Sequence, residues 1–324
     1  MKKILITGGA GYIGSHVAET LISNKKKIFI VDNLTTGFKK LINKNAKFFN
    51  INILDEKKLK KIIIRFKIDS VIHLAGSLII SSGEKNPKMY YKNNVLGTKS
   101  VLSACDNTSV KNFIFSSTAA VYKDKQKIVN ERSIVRPKSV YGETKFKAEK
   151  LVISKCKKLG VNYAILRYFN VCGASLSGKI GLIADTDSLF KNISSALEKK
   201  KPIIRIYGND YNTRDGTAIR DYIHVSDLAE LHFKILNKIS KTNKSTILNC
   251  GYNKGISVSE VVNEFKKQTK KNVSILYLKR RAGDLSMIIA NNKKLKKTIN
   301  WIPKYCSLRV IVKSCIRWEK IINR

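Results

Sequence analysis

The sequence predicts an α/β protein built on a doubly wound, mostly parallel sheet with a smaller C-terminal lobe, and three observations carry that reading. From residue 3 onward, short apolar runs alternate with longer amphipathic segments. Parallel neighbours need a connection long enough to return to the same sheet edge, so this alternation implies strands joined by crossover helices. A glycine-rich turn lies between the first apolar run and the first amphipathic segment, and after about residue 171 the alternation loosens. The expected division is residues 1–170 for the sheet domain and 171–324 for the smaller lobe, with segments near 220–236 packing back onto the first.

The elements follow in order. KILIT (3–7) reads as a buried strand, YIGSHVAETLIS (12–23) as a helix, KIFIVD (27–32) and KFFNI (47–51) as the next strands. A helix near 55–66 leads to SVIHLAG (70–76), and a long helix over 87–106 leads to NFIFSST (112–118). A helix carrying Tyr141 comes next, and NYAILRYFN (162–170) closes the series. Beyond it, GASLSGKIGLIADTDS is irregular and leads into a helix and the short strand IIRIYG. This half is expected to lie over the carboxyl ends of the strands, where open α/β sheets bind ligands.

Composition narrows the class. An apolar fraction of 43% and a charged fraction of 27% are those of a globular protein, and no window reaches the length needed to span a bilayer. The N-terminal apolar run stops at Thr7 before a glycine cluster, unlike a signal peptide, so a cytoplasmic location is expected. Six cysteines, Cys105, Cys156, Cys172, Cys250, Cys306 and Cys315, are widely separated without a C-x-x-C, which suggests reduced thiols and no metal site. The net charge of +40 would attract polyanions. The lysines, however, are spread along the chain without the Arg-rich, aromatic-interleaved clusters of a nucleic-acid surface. Nucleic acid is therefore not the expected partner.

TGGAGYIG places Gly8, Gly11 and Gly14 between the first strand and the first helix, and Asp32 ends the second strand 18 positions past Gly14. Glycine there permits a tight turn and lets backbone N–H groups approach a pyrophosphate at the positive helix end. The Asp32 carboxylate suits both ribose hydroxyls of an adenosine and repels a 2′-phosphate, so the Rossmann-type site is expected to take NAD rather than NADP.

FIFSSTAAVY ends a strand in Ser116, Ser117 and Thr118, at the edge where a nicotinamide would lie. Downstream, Tyr141 and Lys145 stand one helical turn apart. The spacing alone decides nothing, because Tyr163/Arg167, Tyr277/Arg281 and Tyr305/Arg309 share it. A free tyrosine has a pKa near ~10 and is a poor base. A neighbouring ammonium and a positive nicotinamide would both favour its phenolate.

TGGAGYIGSH, DNL, HLAG, NNVLGT, FIFSST, YGETK, RYFNVCGA, YGNDY, TAIRDYIHVSDLA and RRAGD follow one another as they do in the extended short-chain dehydrogenase/reductase family, and within it the sequence resembles the UDP-hexose 4-epimerases over essentially its whole length. The resemblance implies an NAD-dependent isomerase that interconverts UDP-glucose and UDP-galactose through a 4-keto intermediate. It implies that Tyr141 removes the O4 proton, that Thr118 bonds O4, and that Lys145 tunes Tyr141 and anchors the nicotinamide ribose. It also assigns Tyr12, Ile13, Asn33, Leu34, Asn52, Ile53, Leu74, Ala75, Gly76, Asn94 and Phe169 to the cofactor. Asn170, Tyr207, Arg220, Arg281 and Asp284 fall at UDP-sugar positions. Arginines suit a diphosphate through bidentate donation. A homodimer through the Tyr141 helix and the helix before it is implied as well. His73 and His224 sit in apolar runs and read as core histidines.

Four positions depart from the pattern. Asn52 replaces an aspartate toward adenine, Leu78 replaces a lysine near the nicotinamide, and Ser188 replaces an amide or histidine near the substrate. Ile288 stands where a tyrosine restricts some members to unsubstituted hexoses, so UDP-N-acetylglucosamine stays open as a substrate. A related 4,6-dehydratase would need an acid and base pair beside Thr118, where this chain has Ala119 and Ala120. A non-catalytic NAD-binding or nucleic-acid-associated protein would have no use for an intact Thr118, Tyr141 and Lys145.

Overall fold

The computed structural model describes residues 2–124, 126–184, 186–281 and 284–323. The first half runs β1 (Lys3–Thr7), α1 (Tyr12–Ser23), β2 (Lys27–Asp32), β3 (Lys47–Asn50), α2 (Glu56–Phe66), β4 (Ser70–His73), α3 (Ile80–Lys85), α4 (Pro87–Tyr90), α5 (Gly97–Ala104), β5 (Asn112–Thr118), β6 (Ile128–Val129), α6 (Val140–Leu159) and β7 (Asn162–Tyr168). The second runs β8 (Asn170–Cys172), α7 (Leu189–Leu197), β9 (Ile203–Tyr207), β10 (Ile219–His224), α8 (Val225–Thr242), β11 (Thr246–Cys250), β12 (Gly255–Ser257), α9 (Val258–Thr269), β13 (Ser274–Leu278), β14 (Met287–Ala290), α10 (Lys293–Ile299) and α11 (Leu308–Ile322).

The main sheet has the order β11-β7-β5-β4-β1-β2-β3, and every pairing in it is parallel. The chain order reverses between β1 and β4, which opens a crevice beyond the carboxyl ends of those two strands. Alternate residues of each strand serve opposite faces. Ile4, Ile6, Ile28, Ile30, Ile72 and Ile114 pack with α1 and α8. Leu5, Phe29, Val31, Val71, Phe113 and Phe115 pack against helices on the other face. Each such side chain contributes about 1.5–3 kcal/mol on burial, so covering both faces is what makes the sheet doubly wound.

Two differences from the sequence reading have physical reasons. The outer strand β11 comes from residues 246–250, far past the loosening at 171, and pairs with β7 from Thr246↔Ala164 to Cys250↔Tyr168. The long helix expected over 87–106 is α4, a π-helical turn at Tyr91–Leu96, and α5. The wide turn carries Asn94, whose side chain is drawn away to Ser77 and Thr144. Such turns interrupt the helical ladder where a side chain is wanted elsewhere.

A second sheet has the order β12-β10-β14-β6 with β8 beside β10, and β9 pairs with β13. Its core of Phe190, Ile206, Val261, Phe265 and Ile311 is separate from those of the main sheet. A small cluster of Ala119, Val121, Phe169, Ile288 and Ala290 joins the end of β5 to β14. Among the described residues, no helix is long and apolar enough to cross a membrane. Cys105, Cys156, Cys172, Cys250 and Cys315 are buried free thiols, and Cys306 is exposed.

Candidate active site

The glycine turn is built by close approaches that no side chain would allow. Gly8 has φ +72°, and a Cβ on it would stand 2.7 Å from the Ala75 backbone nitrogen. A Cβ on Gly14 would stand 2.1 Å from the Gly8 carbonyl oxygen. Gly11 caps α1 without a side-chain hydrogen bond, and Ser15 N–H is the first to reach back to its carbonyl at 3.0 Å. The N–H groups of Tyr12, Ile13 and Gly14 therefore have no partner in the helix and are free for an anion.

Asp32 is buried at the end of β2, where its carboxylate accepts Ala10 N–H at 3.0 Å and Leu34 N–H at 2.9 Å. Each oxygen keeps a second lone pair for a ribose hydroxyl. Leu34 takes a left-handed φ of 59° beside it, and the exposed Asn33 accepts Thr35 N–H at 3.2 Å. Leu74 and Ala75 are held to Thr7 on β1. A Cβ on Gly76 would meet Asn94 Oδ1 at 2.8 Å. Asn52 is exposed and accepts Leu54 N–H, while Ile53 is buried against Gly97. The Tyr12 hydroxyl is committed to the Gly173 carbonyl at 2.5 Å and so ties α1 to the chain after β8. The cradle fits a dinucleotide: unpaired N–H groups at a helix start, a crevice kept open by absent side chains, and a carboxylate at the second strand end.

The reacting centre lies where β5 meets α6. Ser139 caps α6 by accepting Gly142 N–H at 3.1 Å, and Gly160 ends it at φ 65°. Gly142 lets the helix start press on the β5 turn, since a Cβ there would stand 2.4 Å from the Ala120 carbonyl oxygen. Sequence reasoning passed over this glycine although it lies inside the quoted YGETK.

The pressed geometry sets the Tyr141 hydroxyl facing the Thr118 side chain at the end of β5. Burial pushes Tyr141 up to about 12; the Thr118 side chain acts downward, and Tyr90 adds to the rise. Lys145 is buried, its ammonium 3.5 Å from Ser116 Oγ and 4.4 Å from the centre of the Phe115 ring. Burial lowers it to about 7, with Glu149 acting the other way. Burial outweighs the downward pull of Thr118 on Tyr141.

His73 is buried between Thr7 Oγ1 at 2.6 Å and Thr98 Oγ1 at 3.0 Å. His224 is buried with Ser226 N–H donating to its Nδ1 at 3.1 Å and Ser314 Oγ 3.3 Å from its Nε2. Both are satisfied core histidines.

Of the expected sugar-nucleotide residues, Asn170 and Arg220 lie on the second sheet, Tyr207 ends β9 of the two-stranded pair, and Arg281 and Asp284 lie between β13 and β14. Arg281 lies with its guanidinium 4.1 Å over the Tyr207 ring, at the end of β9. Arg220 on β10 pairs with Asp284. Asn170 is exposed on β8, in register with Tyr222 two residues past Arg220. Phe169 is buried with Ile288, itself opposite Arg220 in the β10–β14 register. Ala282 and Gly283 of RRAGD lie outside the described residues. Sequence reasoning missed the neighbouring pair: Arg280 stacks 4.2 Å over Tyr211 and binds Asp210 at 2.8 Å. The signal was the doubled arginine facing two tyrosines four residues apart. Of the departures, Leu78 is exposed and Ser188 begins α7.

The model of the NAD-dependent epimerase/dehydratase family matches residues 4–251. The chain belongs to that family. It is 37% identical to the UDP-glucose 4-epimerase of Lactobacillus helveticus over 98% of this chain and 97% of that one. The crystal structure of UDP-glucose 4-epimerase from Brucella ovis in complex with NAD superposes with a TM-score of 0.93 at 33% identity, covering 98% of each chain. The UDP-Glc/GlcNAc 4-epimerase from Campylobacter jejuni gives a TM-score of 0.86 at 37% identity, covering 99% of this chain and all of that one. Among the described residues, no group of three or more His, Cys, Asp or Glu side chains could hold a metal ion.

Proposed function

We propose that this chain is an NAD-dependent isomerase that interconverts UDP-glucose and UDP-galactose. The observation that carries the reading is that Tyr141 faces Thr118 at the carboxyl edge of β5, with Lys145 one turn further along α6 against Ser116. When bound, NAD would supply a reversible acceptor for the C4 hydrogen with its electron pair, and a positive charge that favours the Tyr141 phenolate.

The chain's own residues do the rest. Tyr141 takes the O4 proton while C4 becomes a carbonyl, and returns it after C4 is rebuilt with the opposite configuration. Thr118 holds O4 and lowers the cost of moving its proton. Lys145, aligned by Ser116 and Phe115, turns toward the nicotinamide ribose. Gly8, Gly11, Tyr12, Ile13 and Gly14 hold the pyrophosphate through their backbone, and Asp32 and Asn33 hold the adenosine ribose. Tyr207 lies against uracil, Arg220 and Arg281 bind the diphosphate, and Asp284 reaches the uridine ribose while orienting Arg220. The two units, 1–170 and 171–324, serve cofactor and sugar respectively, and the enzyme works as a homodimer.

Ile288 supports a second substrate. It stands in register with Arg220 and is smaller than the tyrosine of stricter relatives, which leaves room for an N-acetyl group. A matched assay on UDP-galactose and UDP-N-acetylgalactosamine, resolved by sugar-nucleotide chromatography, tests both readings. Conversion of the first establishes the function, conversion of both establishes the wider pocket, and conversion of neither overturns the proposal.

A further inference from the structure

Thr144 stands between Tyr141 and Lys145 on the first turns of α6. It is buried, its hydroxyl donates to the Tyr141 carbonyl at 2.9 Å, and it accepts a hydrogen bond from Asn94 Nδ2 at 3.0 Å. The Asn94 amide has no hydrogen left over, because Nδ2 also donates to the Ser77 carbonyl at 3.2 Å while Oδ1 accepts Ser77 N–H at 2.7 Å. Asn94 therefore joins α6 to the loop after β4. Its neighbour Asn93 adds a bond from Nδ2 to Ser77 Oγ at 3.0 Å.

The backbone of Asn94 is tied to the same loop from the other side. Its carbonyl accepts from Thr98 Oγ1 at 2.6 Å, which uses the one hydroxyl hydrogen of Thr98. His73 Nε2, 3.0 Å from that oxygen, must then carry a hydrogen, which leaves Nδ1 to accept from Thr7 Oγ1 at 2.6 Å. Thr7 Oγ1 in turn accepts Ala75 N–H at 3.4 Å. The donors all run one way: from Ala75 through Thr7, His73 and Thr98 to the Asn94 carbonyl, and from the Asn94 amide through Thr144 to Tyr141.

A buried threonine can satisfy its hydroxyl on its own helix with no partner across space. The Asn94 bond is more than α6 requires, and it is made at a π-helical turn that gives up the regular ladder to send that side chain across. Gly142 already locates the start of α6 against the β5 turn, through its close approach to the Ala120 carbonyl. The Thr144–Asn94 bond locates the same turn in a second direction, against loop 74–77, where Leu74, Ala75 and Gly76 line the cofactor in the proposed reading.

We propose that Thr144 is a positioning residue: through Asn94 it fixes the Tyr141 turn of α6 to loop 74–77, so that the proton-transfer group and the cofactor pocket keep one geometry. Its kinetic consequence rests on the proposed epimerase reading, and the tie between helix and loop does not. Thr144→Val keeps the branched shape and removes the hydroxyl, and Thr144→Ser keeps the hydroxyl. Thr144→Ala takes the place of valine if the latter prevents folding.

Two readouts are taken on NAD-loaded protein: amide hydrogen exchange by mass spectrometry in a peptide covering 74–79, and kcat and KM with UDP-galactose. In Thr144→Val the loop exchanges about tenfold faster although the substitution lies on another element, kcat falls about tenfold, and KM stays within about twofold. Thr144→Ser returns both readouts to within about twofold of the parent protein. Parental exchange in the folded valine or alanine variant overturns the tie, and faster exchange with parental kcat overturns the positioning role. A serine variant that behaves like the valine one overturns the assignment to the hydroxyl. Faster exchange in valine, restored by serine, in a protein whose parent converts no UDP-galactose upholds the tie and removes the functional reading instead.

Discussion

Tyr141 faces Thr118 at the end of β5, while Lys145, one helical turn further along α6, reaches Ser116 at 3.5 Å. The two side chains meet alternate positions, Thr118 and Ser116, of one strand end, and burial moves them in opposite directions, the phenol up and the ammonium down. Burial therefore holds the Tyr141 phenol neutral in the protein by itself.

Replacing Tyr141 with phenylalanine removes the hydroxyl proposed to exchange the O4 proton. General acid–base catalysis contributes roughly 10²- to 10⁴-fold, and a loss of that size in kcat is expected. KM and the circular dichroism spectrum should stay near those of the parent protein. A variant that kept full kcat would remove the proton-transfer role.

Lys145 is held at a cost to the fold. Its pKa falls from the ordinary lysine range to about 7, so between pH 7 and the unfolded value the unfolded chain binds more protons than the folded one. Stability from this group therefore rises with pH across that window, and below it the burial penalty is present in full. Lys145→Met should raise the thermal midpoint of the cofactor-free protein at pH 6.5 by several degrees while abolishing turnover. A lowered midpoint would show that the ammonium stabilises its site.

All four histidines are buried, and burial lowers His16, His73, His224 and His232 to between about 3 and about 4. From the unfolded value near ~6.5 down to those pKa values the unfolded chain takes up protons that the folded chain refuses, so stability falls as pH falls. Asp221, raised to about 6 by burial, acts in the opposite direction over part of that range. It offsets about one histidine of the four. Chemical denaturation at pH 7, 6 and 5 should show a steep decline, and a flat series would contradict the buried, neutral assignment.

Gly14→Ala places a methyl where the Gly8 carbonyl lies, whereas alanine at Gly160 meets nothing within 4 Å and is strained only by its φ of 65°. The first should lose NAD, seen as a fall in bound nucleotide absorbance at 260 nm and a large drop in activity. The second should keep its nucleotide and lose about 1 kcal/mol of stability. Equal nucleotide content in the two would remove the turn from the cofactor site.

What was legible in the sequence was whatever depends on local period and spacing. KILIT and KIFIVD declare buried strands because both of their faces are apolar, and the Gly8–Gly14 turn declares itself by what flanks it. The placement of β11 was not legible, since TILNC carries no mark distinguishing a main-sheet edge from a strand of the smaller lobe. Nor was the π-helical turn at Asn94, which exists because Ser77 and Thr144 draw the side chain across space. The Tyr141/Lys145 spacing became informative only as a position: Tyr163 and Arg167 share it on a strand, where residues four apart do not form one helical turn.

The central claim is that C4 is inverted by removal and return of its own hydrogen, with Tyr141 handling only the O4 proton. Proton NMR of UDP-glucose formed from UDP-galactose by the NAD-loaded protein in D₂O tests it most directly. The account predicts conversion with protium retained at C4. Deuterium at that carbon, or no conversion at all, would contradict it.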